Sequence, residues 1–106
     1  MKDSYSGDPI GKALSKKLNG ENNLKIIVHS DDFDDDDISV DYLFRDFNEM
    51  PEIEKKALEL CQGKILDAGA CSGSHSLWLQ KMGLDVCAAE ISPGAVKVMQ
   101  QRGIKN

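Results

Sequence analysis

The chain has 106 residues, 41% of them hydrophobic and 29% charged, which is enough for one domain and too apolar for a wholly disordered chain. Its net charge of −5 is unevenly spread: residues 1–41 hold five lysines and ten acids, whereas residues 42–106 hold eight groups of each sign. That balance gives no basic nucleic-acid footprint, no apolar run approaches the ~20 residues that span a bilayer, and the first residues carry no apolar signal-peptide core.

In residues 1–41, Asp8-Pro9 opens a helix, Asp8 as cap and Pro9 at the first helical position, where a missing N–H costs nothing. Ile10, Ala13, Leu14 and Leu18 form its apolar stripe, and Asn19-Gly20 ends it. Residues 24–28 read as a strand from their β-branched content. Residues 31–37 carry six aspartates around Phe33 and read as a solvated, disordered loop over 30–40. The run has no turn glycine and no correctly placed glutamate, which excludes a calcium loop.

Residues 42–63 read as lead-in helices. Asp41 caps a turn through Tyr42, Leu43, Phe44 and Phe47, and Pro51 restarts a helix with Ile53, Ala57, Leu58, Leu60 and Cys61 along one side. Residues 64–106 then alternate as β-α-β-α. The strands are 64–68 and 85–89, the second apolar enough to be buried on both faces. The helices are 74–82, with Leu77, Trp78 and Met82 inward, and one from Ser92-Pro93 to Gly103, with Ala95, Val96 and Met99 inward. A helical crossover between strands implies that they run parallel. The fold class is therefore α/β: the N-terminal part of a Rossmann-like, doubly wound parallel sheet, preceded by helices and a short strand.

The strand-to-helix turn reads Asp67-Ala68-Gly69-Ala70-Cys71-Ser72-Gly73. In a doubly wound sheet this junction is the ligand crevice. Gly69 allows the tight turn, and Gly73 brings the helix start close to the strand. Glu90 ends the second strand, 21 residues beyond Gly69, where an acid accepts hydrogen bonds from ribose hydroxyls. A dinucleotide fingerprint needs Gly at 71 and 74, and this chain has Cys71 and Ser74. The pattern acid-x-Gly-x-Gly-x-Gly is met at Asp67, Gly69 and Gly73, with Cys71 in the middle slot.

With those residues, 64–106 resembles the first half of a class I S-adenosylmethionine-dependent methyltransferase, and 42–63 resembles the lead-in of a bacterial branch of that superfamily. The resemblance is weak over 1–41. It implies S-adenosylmethionine as cofactor, with Asp67, Gly69, Ala70, Cys71 and Gly73 facing its methionine part. Glu90 then holds the ribose and Ile91 lies against the adenine, while Arg45 or Tyr42 closes the pocket from above. The implied activity is methyl transfer to an unidentified acceptor. Cys71 departs from the pattern: at negative φ its side chain costs little, whereas at positive φ it is strained.

The remaining chemistry-bearing residues read blandly. His75 reads as solvent-facing rather than as a base, Trp78 as core, and Cys71 has no acid–base partner that would make it a nucleophile. Cys61, Cys71 and Cys87, ten and sixteen residues apart, give no zinc spacing and fit a reducing cytoplasm as free thiols. The sequence reads as a fragment that stops where a third parallel strand begins, with the strand at 24–28 placed to cover the open edge of 64–68. The expected partners are the small-molecule cofactor and the acceptor, with neither nucleic acid nor membrane. Catalytic residues are expected beyond Asn106, so the fragment alone is expected to be inactive. The rival reading is a non-catalytic binding or interaction domain on the same half-sheet.

Overall fold

A computed structural model describes residues 7–106. Helix α1 (Pro9–Leu18) starts as its sequence requires: Asp8 Oδ1 accepts the Gly11 N–H at 3.0 Å, with Pro9 in the first turn. Leu14 is fully buried, while Ile10 and Leu18 at the two ends of the expected stripe stay exposed. The reason is where α1 packs. It lies on α4 (Pro93–Gln101) so closely that a Cβ on Gly11 would come 2.8 Å from Gly94 Cα. The same Asp8 carboxylate accepts the Ser92 hydroxyl at 2.6 Å and the Gly94 N–H at 3.0 Å. One side chain thus caps two helices. The Ser92 hydroxyl foremost, with the Gly94 and Gly11 N–H groups, holds the Asp8 carboxyl below its usual pKa, against the opposing effect of desolvation.

The strand β1 (Lys25–Val28) pairs antiparallel with β2 (Asp36–Ser39), in register Ile26 opposite Ile38 and Val28 opposite Asp36. The acidic run is therefore not all loop, because its last two aspartates enter β2. The pairing survives that charge because Asp36 and Asp37 face solvent while Ile38 points inward, and Lys25 lies 3.7 Å from Asp37. Nor does β1 cover the edge of the second sheet. It is tied to its own neighbourhood through the Val40 N–H, which donates to Leu24 C=O at 2.9 Å. Leu14, Val40, Ala95 and Val98 form one core, with Leu24, Ile26 and Phe44 packed around it.

Two 3-10 turns, Val40–Phe44 and Phe47–Glu49, lead into α2 (Glu52–Glu59). This helix is rotated by one residue from the expected face. Leu58 and Cys61 turn inward as expected and Glu54 joins them at helical spacing, whereas Ala57 and Leu60 are exposed and Ile53 is 80% exposed. The rotation follows from the carboxylate of Glu54, which is held by Arg45 and His75.

The strands β3 (Lys64–Ala68) and β4 (Asp85–Ala89) pair in parallel, Lys64 opposite Asp85 through Ala68 opposite Ala89, joined by α3 (Ser74–Lys81). Their bounds fall where the sequence places them. Burial on both faces is not found: Ile65 and Val86 pack with Leu58 and Leu79, but Leu66 is 66% exposed and Cys87 is also exposed. The described helices cover only one face of this pair. Within α3 the inward residues are Ser76 and Leu79, and Met82 is exposed; Ser76 turns in because its hydroxyl bonds Asp67. Within α4, Val98 joins Ala95 and Met99 in the core and Val96 is only half-buried. At the chain's end, the Ala88 N–H donates to Asn106 C=O at 3.0 Å. Among the described residues, no helix is long and apolar enough to cross a membrane.

Candidate functional site

The carboxyl ends of β3 and β4 stop side by side at Ala68 and Ala89. The chain then folds the 69–73 loop back over β4, with the Gly69 and Ala70 N–H groups both donating to Ala89 C=O, at 2.8 and 3.0 Å. That tight return requires left-handed backbone at alternate positions: φ is 69° at Gly69, 55° at Cys71 and 84° at Gly73. The two glycines are needed for different reasons. Nothing lies within 4 Å of where a Gly69 Cβ would sit, so its outer side is open. A Cβ on Gly73 would clash with Ile104 and come 2.8 Å from Met99 Cγ. Gly73 therefore admits the residues that end and follow α4; the close approach expected to β3 is not its role.

Glu90 sits across the mouth of this loop. One carboxylate oxygen accepts the Cys71 N–H at 2.7 Å and the other accepts the Ser92 N–H at 3.0 Å. Asp67 accepts the Ser76 hydroxyl at 2.7 Å. The fold thus brings together Asp67, Gly69, Ala70, Cys71, Gly73 and Glu90, six of the seven residues expected at the site. Ile91 follows Glu90 directly and is 96% exposed. Cys71 holds the positive φ at which its side chain is strained, a cost of about 1–2 kcal/mol. Burial pushes its thiol pKa up, with the Glu90 charge adding to the effect, so the sulfur is a neutral group packed toward the Leu14 core.

The back of the loop is pinned from two sides. The hydroxyls of Ser72 and Ser74 both donate to Leu43 C=O. Arg102 donates to Ser72 C=O at 2.7 Å and lies 4.8 Å above the Phe44 ring, where burial lowers its pKa from the usual value. The 3-10 segment before α2 and the end of α4 therefore fix the loop's shape, a role that adjacent sequence does not signal.

Arg45, expected to close the pocket, is already engaged. Its guanidinium pairs with both Glu54 oxygens at 3.1 Å, Nε donates to Tyr42 C=O at 2.7 Å, and the group lies 3.8 Å from the Tyr42 ring centroid. His75 is not merely solvent-facing: its side chain is 43% exposed, and Nε2 lies 2.9 Å from Glu54 Oε1. Arg45 first, and His75 second, hold the Glu54 carboxyl below its usual pKa. Trp78 is half-buried and stacks on Phe47 with centroids 4.6 Å apart, the packing role expected of it.

No protein-family model and no curated protein matches the chain. Among solved structures, it is similar to a SAM-dependent methyltransferase from Bacteroides fragilis crystallised in complex with S-adenosyl-L-homocysteine. The identity is 43% and the TM-score 0.87, over 93% of this chain and 41% of that one. At that identity, held across nearly all of its residues, the chain is related to the S-adenosylmethionine-dependent methyltransferases and spans about two fifths of the one it matches.

Proposed function

We propose that this chain is the cofactor-binding half of an S-adenosylmethionine-dependent methyltransferase, with the cofactor lying across the carboxyl ends of β3 and β4. The observation that carries this reading is the Glu90 carboxylate. Two backbone N–H groups from opposite sides fix it beside the open flank of Gly69. Each of its oxygens spends one lone pair there and keeps another, which suits two ribose hydroxyls. Ile91 offers an exposed apolar surface for a purine, and Asp67 and the 69–73 loop serve the amino-acid end. The complex formed by the similar protein supports the same ligand class.

The cofactor, when bound, supplies a methyl group on a sulfonium centre. What the described residues contribute is binding and orientation, which matter most in an in-line displacement. The β3–β4 pair is read as the first two strands of a Rossmann-like, doubly wound sheet. The acceptor is a separate molecule of unassigned class. The free thiols of Cys61, Cys71 and Cys87 support a reducing compartment such as the cytoplasm.

Amide spectra of the labelled chain titrated with S-adenosylhomocysteine and, separately, with NAD test this reading. Shifts from S-adenosylhomocysteine concentrated in 67–73 and at Glu90, larger than those from NAD, are expected. Equal shifts from both, shifts elsewhere, or none would overturn it, and none would favour a non-catalytic interaction domain.

A further inference from the structure

Two carboxylates meet on one serine. Ser92 donates its N–H to Glu90 Oε2 at 3.0 Å and its hydroxyl proton to Asp8 Oδ1 at 2.6 Å, while the hydroxyl oxygen accepts the Ala95 N–H at 3.1 Å. Ser92 is buried, and these three bonds fix both its hydroxyl and its N–H. Pro93 follows with its φ set by the ring. Gly94 then donates its N–H to Asp8 Oδ2 at 3.0 Å and lies against the Gly11 backbone. Asp8 is in turn fixed from its own helix by the Gly11 N–H at 3.0 Å. The segment from Glu90 to Gly94 therefore has little slack against α1.

Glu90 is aimed by two N–H groups, and they differ in what supports them. The Cys71 N–H belongs to the 69–73 loop, which is closed onto Ala89 by its own backbone bonds. The Ser92 N–H sits one residue beyond Ile91, which is 96% exposed and packs nothing that could hold the turn. What holds Ser92 from outside its own helix is Asp8, 84 residues away. We propose that Asp8 is a positioning residue for the ribose end of the cofactor: through the Ser92 hydroxyl it fixes the N–H that aims Glu90, so that the N-terminal helix sets affinity at a site it does not line. The assignment rests on the cofactor reading above and adds a residue to it. Asp8 acts on Glu90 alone, so its influence is confined to ligands that carry the hydroxyls Glu90 accepts.

The test compares two ligands by calorimetry, S-adenosylhomocysteine and its analogue with hydrogen in place of both ribose hydroxyls, on the wild type, Asp8→Ala and Asp8→Asn. Asparagine keeps an oxygen where the Gly11 and Ser92 donors converge and turns its amino group to Gly94, so it loosens the seam but keeps the Ser92 link. Asp8→Ala is expected to weaken S-adenosylhomocysteine about fivefold or more and the analogue by less than about twofold. Asp8→Asn is expected to hold S-adenosylhomocysteine within about twofold of wild type, although it too is destabilised. Equal losses for both ligands in Asp8→Ala would show a merely structural role and overturn the proposal. So would an Asp8→Asn loss as large as that of Asp8→Ala, or an Asp8→Ala affinity unchanged from wild type. Amide spectra of the wild type give a readout that needs no variant. The Gly11 N–H, which belongs to α1 and donates to Asp8, should shift with S-adenosylhomocysteine and not with the analogue. A Gly11 signal unmoved at saturation, or the same shift with both ligands, would overturn the proposal. If the wild type binds neither ligand, the cofactor reading itself falls.

Discussion

The α1–α4 seam and the 69–73 loop are built from the same parts and do opposite things. Each has glycines, one carboxylate and a set of backbone N–H groups. At the seam, Gly11 and Gly94 bring two backbones into contact, and Asp8 spends its oxygens on Gly11, Gly94 and Ser92. At the loop, Gly69 faces open space and Glu90 accepts one backbone bond on each oxygen. Residue type does not separate structure from site here. What separates them is how much room and how many lone pairs are left once the backbone has been satisfied.

The sharpest way to break the comparison is to fill the seam. Gly94→Ala places a Cβ 2.6 Å from Gly11 Cα, a backbone contact that no rotamer relieves. It is expected to cost about 2–3 kcal/mol, as overpacking does, and to lower the melting temperature by roughly 10 °C or more. A melting point within two or three degrees of wild type, roughly, would show that the seam is loose.

Removing the seam's charge tests a smaller term. Asp8→Asn keeps the shape but loses acceptor capacity at a double cap, an expected cost of about 1–2 kcal/mol at neutral pH. Asp8 has a folded-state pKa below its unfolded value, so its contribution is present above the unfolded pKa and is lost as pH falls through the folded one. The difference between wild type and Asp8→Asn in denaturant titrations should therefore be constant above about pH 5 and shrink in more acidic buffer. A difference that grows on acidification would contradict the assignment.

The smallest effect is expected at the loop. Cys71→Gly relieves the positive φ, but glycine gives up unfolded-state stiffness and the thiol's packing. Stability should change by less than about 1 kcal/mol, while S-adenosylhomocysteine affinity, read by calorimetry, holds or improves. A clear loss of affinity would mean that the cysteine side chain contributes to the site.

The sequence reveals most where its signals are local. Strands 64–68 and 85–89 are short apolar runs closed by small residues or a capping acid, and both appear at those bounds. The turn residues 67–73 and Glu90 follow from the motif, and the structure places them together. β2 was hidden because Asp36 and Asp37 suggest solvation, and only pairing with β1 shows that their side chains can be solvated from a strand. The faces of α2 and α3 depart from the apolar periodicity for a related reason. Helices of eight residues have too few turns for apolar periodicity to fix their rotation, and polar bonds at Glu54 and Ser76 fix it instead. The Arg45–Glu54–His75 cluster joins positions 9 and 21 apart, and no spacing rule announces it.

Asp8 also governs the order in which the molecule can be completed. Its partners Ser92 and Gly94 lie 84 and 86 residues away, so nearly the whole chain must be looped before the double cap can close. The β3–α3–β4 unit needs no such closure. Ser92 donates its N–H to Glu90 and its hydroxyl to Asp8, so the final immobilisation of the acid at the loop's mouth awaits the arrival of the chain's first helix. Amide exchange during refolding should protect Gly94 after Asp67, whose N–H faces β4. Any ligand that grips Glu90 is then coupled through Ser92 to Asp8 and the start of α1.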